Sequence, residues 1–400
     1  RSSGLTDEQA ESAIESDTFG PLAAELRRAE ANHHDLDALL PLGLGQLTRP
    51  FGTAPVDPAL GALSLQRTQE RIVSGSRFGI KGQEDLGGGW NALFLLEDGF
   101  DITNGKTGQN GGLFGRQAFV GIGSQQYGTV TLGRQYTSLN DFVAPVAPVA
   151  MVGGFGAHPG DIDDLDQTAR VNNSVKYQSV NYGGFKFGGM YGFSNQADGF
   201  ANNRAYSAGA SYNWGGLNIA AAYLQLNSNG ATGAAAAFNS GGAVSSDNTF
   251  FAGRQQTWGA GANYAFGPAT VGLVYSQTNL SGLAGIGAGA SGQTGGIGGF
   301  GGSSAHFQNF EANARYALTP AVSIAGSYTF TRASLAGTRP HWNQFNLQTA
   351  YALSKRTDVY LQGEYQQVNE NAVVDADING LAASGNNKQV AVTAGLRHRF

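Results

Sequence analysis

Four carboxylates crowd one short stretch, at Asp161, Asp163, Asp164 and Asp166. Asp-x-Asp-Asp-x-Asp offers oxygen ligands of the kind calcium takes, but the spacing is not that of an EF-hand. A solvated acidic loop makes the same pattern. Gly105-Lys106-Thr107 resembles the tail of a phosphate-binding loop, yet the pattern needs a glycine at position 100, which is Phe100. It also lies between two strand-like stretches, with no helix to follow. His33-His34 has no second pair at ligand spacing, and His158, His306, His341 and His398 are scattered. The glycine-rich run 295–302 lacks the Asp of calcium-binding nonapeptides. No catalytic triad can be assembled, and basic residues are too few and dispersed for nucleic acid. The expectation is no enzyme, no cofactor and no resident metal.

The elements that would position any site are strands. The chain has 400 residues, of which 61 are glycine, 13% charged and 10% aromatic, with no cysteine. At 41% hydrophobic it is too apolar for pure disorder. Mean hydropathy is −0.21 and no run of about eighteen apolar residues occurs. That excludes a transmembrane helix but not a transmembrane barrel, whose alternating strands dilute the signal. No apolar leader core follows Arg1, so the sequence is expected to be already processed or to lack its true beginning.

The last stretch, Gln389–Phe400, alternates with period two: Val390, Val392, Ala394 and Leu396 on one face, Gln389, Thr393 and Arg397 on the other. A soluble sandwich would turn the polar face to water, and a membrane barrel would turn the apolar face to lipid. Fifteen such strands are predicted between Val73 and Phe400, most of them of bilayer-crossing length. Aromatics cluster near strand ends, at Tyr264, Phe266, Tyr316, Phe330, Tyr351 and Tyr365, as in an interfacial girdle.

The connections decide between the two readings. Short turns such as Gly123–Gly128 and Gly267–Pro268 strictly take turns with long loops such as Tyr136–Arg170 and Asn227–Gln255. A meander barrel with brief turns on one side and long loops on the other produces that rhythm; a Greek-key sandwich does not. Single-chain barrels have even strand counts, so an upstream strand is owed within residues 1–72. Residues 1–70 read as an acidic segment, with eleven acidic and five basic side chains. They are expected to be helical in two pieces over Thr6–Ala31, or disordered, and to be foreign to the fold; residues 71–400 carry the barrel and are nearly neutral. The first strand is therefore expected to be missing or degenerate.

The run from Ser76 through Gly89, S-R-F-G-I-K-G-Q-E-D-L-G-G-G, resembles the trimeric general porins of Gram-negative bacteria, the β-proteobacterial ones above all. So do Gly115–Gly121, Gly128–Gln135, Arg170–Tyr177, Gly189–Phe193 and the closing Phe400. The resemblance covers roughly residues 72–400. It implies an all-β fold, a transmembrane antiparallel up-and-down barrel of sixteen strands, with the third outer loop folded into the lumen. It implies a homotrimer in the outer membrane, in contact with lipid and lipopolysaccharide. Phe400 would be the terminal aromatic read by the barrel-assembly machinery.

The third loop is Tyr136–Arg170. The resemblance sets its acidic groups, Asp161, Asp163, Asp164 and Asp166, against arginines on the wall, matched here by Arg77, Arg116, Arg134 and Arg170. Lys81 shares the parity of Arg77 and belongs with them. Leu95 stands where a polar lumen residue is expected. Opposed charges would create a transverse field at a constriction passing ions and small hydrophilic solutes, with a weak lean to anions. The alternatives are a barrel enzyme with a site at the outer rim, and a structural or adhesive barrel with a closed pore.

Overall fold

The computed structural model describes residues 62–65, 75–228, 242–244, 250–286, 297–369 and 374–400. The helical reading of Thr6–Ala31 and the His33-His34 pair lie outside them. One sheet organises the rest. Its strands are β1 (Ala62–Leu65), β2 (Arg77–Gly87), β3 (Trp90–Gly99), β4 (Gln117–Ser124), β5 (Gly128–Tyr136) and β6 (Arg170–Gln178). There follow β7 (Phe185–Gly192), β8 (Arg204–Trp214), β9 (Leu217–Asn227), β10 (Phe250–Phe266) and β11 (Ala269–Ile286). The last are β12 (Ile297–Ala317), β13 (Val322–Ser334), β14 (His341–Ala352), β15 (Thr357–Val368) and β16 (Lys388–His398). From β2 to β16 each strand pairs antiparallel with the next, a meander of the fifteen expected strands.

Strand ends differ from the sequence reading mainly at the long-loop side. β10 begins at Phe250 rather than Gln256, and β11 and β12 run on into glycine-rich stretches. Those stretches lack apolar alternation, but a ladder needs only backbone N–H and C=O groups. The owed upstream strand also takes a specific form. β1 pairs with β16, but in parallel, Ala62 opposite Gln389 and Leu65 opposite Val392. An odd number of antiparallel strands leaves β2 and β16 pointing the same way. Among the described residues β2 is paired only by β3.

The sheet is inside-out by the standard of a soluble protein. Side chains directly opposite on antiparallel strands share a face. Val120 and Leu132 are such a pair and are both exposed. Thr257 and Thr278, also opposite, are both fully buried, with their hydroxyls 2.9 Å apart. Gln348 and Gln362 repeat this with an amide bond of 2.8 Å. Leu273, Phe345, Leu347, Leu361 and Leu396 are all at least half exposed. The apolar side chains therefore form the outer face and the polar ones the inner face, the arrangement that lipid outside and a wet interior require.

Gly133 lies within β5, close to where the third loop begins. Its φ is +141°, and a Cβ there would sit 2.1 Å from the Ala118 carbonyl oxygen. The pairing with β6 shifts register between Gly133 and Gln135. The extra residue lies on β6, where Asn173 has a φ of +50°, while Gln135 keeps the inward parity of Thr131 and bonds Thr131 and Ser174.

Replacing Leu361 with Arg puts a cation on the lipid face of β15 and should destabilise the folded protein by about 2–4 kcal/mol if the site lies near the bilayer midplane. Equilibrium urea unfolding in lipid vesicles reads this directly.

Candidate functional site

Residues 137–169 do not stand off the sheet as a free loop. Leu139, Phe142, Val143 and Val146 form helical turns that are buried against the inner faces of β8–β11. Small residues make the room. A Cβ on Gly209 would meet Phe142 at 2.6 Å, and one on Gly261 would meet Val146 at 2.9 Å. Ala220 and Ala222 line the same seat. Farther along, Phe155 packs with Ile378, Leu381 and Ala391, which carries the loop to β16. Burying one such aromatic or aliphatic side chain contributes about 1.5–3 kcal/mol.

Beyond the apolar turns the loop is tied by charge. His158 is fully buried, with Nδ1 2.5 Å from Asp163 Oδ2 and Nε2 3.2 Å from Glu311 Oε2 on β12. With both carboxylates ionised, each ring nitrogen donates and the ring is an imidazolium. Burial alone would lower its pKa, but the Asp163 charge and the two bonds raise it to about 10. Burial pushes the Asp163 carboxyl up, and His158 outweighs this and holds it below the ordinary carboxylate range. Ser276 of β11 also donates to Asp163, as does Asn309 of β12.

Asp161 and Asp164 fold the loop onto itself, while the Asp166 carboxylate accepts from Asn379 at 3.1 Å. The backbone N–H groups of Asp166 and Thr168 donate to Asp161 at 2.9 and 3.1 Å. The Ala169 N–H and the Thr137 hydroxyl donate to Asp164 at 2.7 and 2.6 Å. The oxygens that calcium would need are thus engaged by N–H and O–H donors. Burial, then the Asp163 charge, lifts Asp161 to about 6. Burial, then the Asp161 charge, lifts Asp164 well above the carboxylate range and Asp166 to about 8. Asp166 is the one turned toward the arginines: Arg116, Arg170 and Arg77 all act on it.

The arginines divide. Arg116 donates from Nε to Glu97 at 2.8 Å and from Nη2 to Gln167 of the loop at 2.7 Å. Arg116 and Arg170 both lie over the Tyr136 ring, 5.8 and 5.6 Å from its centroid. Arg77 stands opposite Gly99, whose missing Cβ would come within 3.1 Å of Arg116. These three form one cluster with Glu97, Tyr136 and Asp166. Arg134 does not join it. It shares a face with Leu132 and Val120 and bonds the Gly115 carbonyl and Asn172, at 2.7 and 2.6 Å. The reason is parity: Thr131 and Gln135 are inward, so Arg134 falls on the outer side. Lys81 is on the inner face opposite Leu95, four residues or about 13 Å along β2 from Arg77, and exposed. Leu95 is on the inner face, as its parity requires. Phe400 is fully exposed, its ring edge-on to His398 at 4.6 Å.

Tyr136, Glu97, Gln167, His158 and Glu311 were not among the residues singled out from sequence. Glu97 and Glu311 had a signal: each is a lone acid at an inward position of a strand.

A sequence profile described as Gram-negative porin matches residues 59–372. An outer membrane porin protein of Bordetella pertussis is 34% identical over 348 residues, covering 82% of this chain and 83% of that protein. The chain belongs to the Gram-negative porin family. The major outer membrane protein P.IB of Neisseria gonorrhoeae is 31% identical over 153 residues, 38% of this chain and 42% of that one. Among solved structures, an anion-selective porin from Comamonas acidovorans superposes with a TM-score of 0.59 at 23% identity, covering 82% of this chain and 90% of that one. OmpF of Salmonella typhi does so with 0.55 at 17%, covering 81% and 89%. The fold is that of a porin barrel, the protein is an outer-membrane porin, and porins are channels rather than enzymes. The inner face of the sheet is the lumen side, and the third loop lies along it.

The loop's hold on the sheet should depend on pH in a fixed direction. His158 has a raised folded pKa, so its contribution is complete below about 6.5 and is lost as pH rises through about 10. Asp163 has a lowered one, so its contribution is lost only below about 3.9. Thermal unfolding of the detergent-solubilised protein should show Tm falling between pH 7 and 10.5. His158→Gln leaves two buried carboxylates unpaired, should cost about 3–5 kcal/mol, and should flatten that alkaline fall.

Proposed function

We propose that this porin is a passive diffusion channel for ions and small hydrophilic solutes whose narrowest point lies between the third loop and the Arg77–Arg116–Arg170 cluster. The observation that carries the reading is this cluster: three guanidinium groups gathered on the lumen side, with Glu97 and Asp166 as the nearby acids. Asp161 and Asp164 are consumed in folding the loop and Asp163 in anchoring it, so they contribute little field to the lumen. Asp166, lifted to about 8, is largely neutral at pH 7. Cationic charge therefore dominates, and an anion passing there finds a favourable potential without a binding step. Arg134 and Lys81 lie outside this cluster and take no part in it. The partners are the expected ones, a homotrimer of this chain and the assembly machinery that inserts barrels, together with outer-leaflet lipid.

Planar-bilayer recording tests the reading. Insertion should give ohmic steps with a reversal potential on the anion side under a salt gradient. Silent insertion of folded protein, or cation preference, would sink it. Replacing Arg77, Arg116 and Arg170 with Gln should move the reversal potential to the cation side, and Arg134→Gln should leave it in place.

The same field gives a pH dependence. As pH rises through about 8, Asp166 gains a negative charge beside the arginines. Anion preference should decline between pH 6 and 9.5, and Asp166→Asn should abolish the decline.

A further inference from the structure

A second polar site lies on the inner face, at the other end of the strands from the arginine cluster. It is a cavity of about 420 Å³ between the first turns of the third loop and β6–β10, within the range of small-molecule sites. Asp141, Phe142 and Val146 form its loop side. Gln178, Lys186, Asn213, Asn218 and Asn263 form the sheet side, all at the short-turn ends of their strands. Arg170 opens β6 and Gln178 closes it, eight residues or about 26 Å farther along.

The floor of the cavity belongs to a row of amides. Asn213, Asn218, Asn263, Gly272 and Asn313 stand opposite one another in turn on β8, β9, β10, β11 and β12. Strand spacing sets neighbours in the row about 4.8 Å apart. Asn213 donates to Asn218, and Asn218 donates to Asn263 at 2.6 Å. Gly272 leaves room for Asn313: a Cβ there would sit 2.6 Å from Asn313 Oδ1. Asn313 donates to the Val146 carbonyl at 3.3 Å, which ties the loop to the row. Each amide has two N–H donors and a carbonyl with two lone pairs. The bonds along the row leave the Asn213 carbonyl and N–H groups of Asn218 and Asn263 for a ligand.

Charge enters at one edge. Lys186 is two residues from Gly188, whose Cβ would meet Phe142 at 3.3 Å, so both face inward. Lys186 stands opposite Ser211, which puts it on the diagonal to Asn213, about 7–8 Å away. It is exposed and takes part in no ion pair among the described residues. Asp141, the acid of the cavity, is already paired with Lys176 at 2.6 Å. One ammonium therefore stands uncompensated beside amides that both donate and accept. Hydroxyl groups also do both, and an ammonium suits one carboxylate.

We propose that this cavity binds a short polyhydroxylated carboxylate, a sugar acid. Lys186 holds its carboxylate, and Asn213, Asn218 and Asn263 hold its hydroxyls. The proposal deepens the channel reading and rests on it for the route by which solute arrives, but binding itself needs no conduction.

The full chain, folded in detergent, is titrated with gluconate, sorbitol and butyrate, and binding is read by saturation-transfer NMR. Gluconate should bind about tenfold more tightly than either of the others, which lack the carboxylate or the hydroxyls. Lys186→Gln should bring gluconate down to the level of sorbitol, and Asn218→Leu to the level of butyrate. The triple variant Arg77→Gln, Arg116→Gln, Arg170→Gln should bind gluconate as wild type does, which separates this cavity from the constriction. Equal binding of the three ligands by wild type overturns the proposal. So does a gluconate affinity that falls in the arginine variant and not in Lys186→Gln. If Asn218→Leu does not fold, Lys186→Gln, whose side chain is exposed, still decides. Silent insertion into bilayers with gluconate still bound would sink the channel reading alone, and ohmic steps without gluconate preference would sink this site alone.

Discussion

A backbone that crosses hydrocarbon has no water to satisfy its N–H and C=O groups, and the rest of this structure depends on that constraint. Only an unbroken hydrogen-bonded ladder answers it without a long apolar helix. Fifteen strands pair in strict succession as a result, and the side chains then sort by parity. Each inward position becomes available for polar groups that an ordinary core would reject. Thr257, Asn309, Gln344, Gln362 and Glu364 are buried together on one face for this reason. The resulting interior is a polar network rather than an oil drop, held by hydroxyl and amide bonds of ordinary length.

The third loop is fixed by two different kinds of interaction, and they divide its length. Its first half is seated by shape, with Phe142 and Val146 fitted over glycines and alanines of β8–β10. Its second half is fixed by charge, with the His158 imidazolium between Asp163 and Glu311. A buried ion triad is not in itself a large source of stability, because desolvation offsets the attraction. It does select one position of the loop strongly, since any other leaves an unpaired charge inside the barrel wall. The acidic motif that looked like a lumen-facing patch is mostly internal scaffolding of the loop. That leaves three arginines as the dominant charge beside it.

The strand count, the outer face and the loop boundaries were legible because they are written in local pattern. Val390, Val392, Ala394 and Leu396 announce a lipid face, and short turns alternating with long loops announce a meander. Arg77, Arg116 and Arg170 were legible only through resemblance, and Arg134 was drawn in with them. Arg134 keeps the parity of Leu132, an apolar outward position, so its direction was countable along β5 and the resemblance overrode that count. His158 read as one scattered histidine because its partner Glu311 lies far along the chain, on β12.

The sequence by itself determined the class of the protein: period-two alternation, absent apolar helices and the loop rhythm leave a membrane barrel and little else. These are properties of neighbours along the chain, and a backbone in lipid converts them into structure with few alternatives. Only the tertiary structure decided which charges meet. The third loop brings Arg116, Ser276 of β11 and Glu311 of β12 within hydrogen-bond reach of one segment, and Coulomb energies at such distances follow position in space rather than order in sequence.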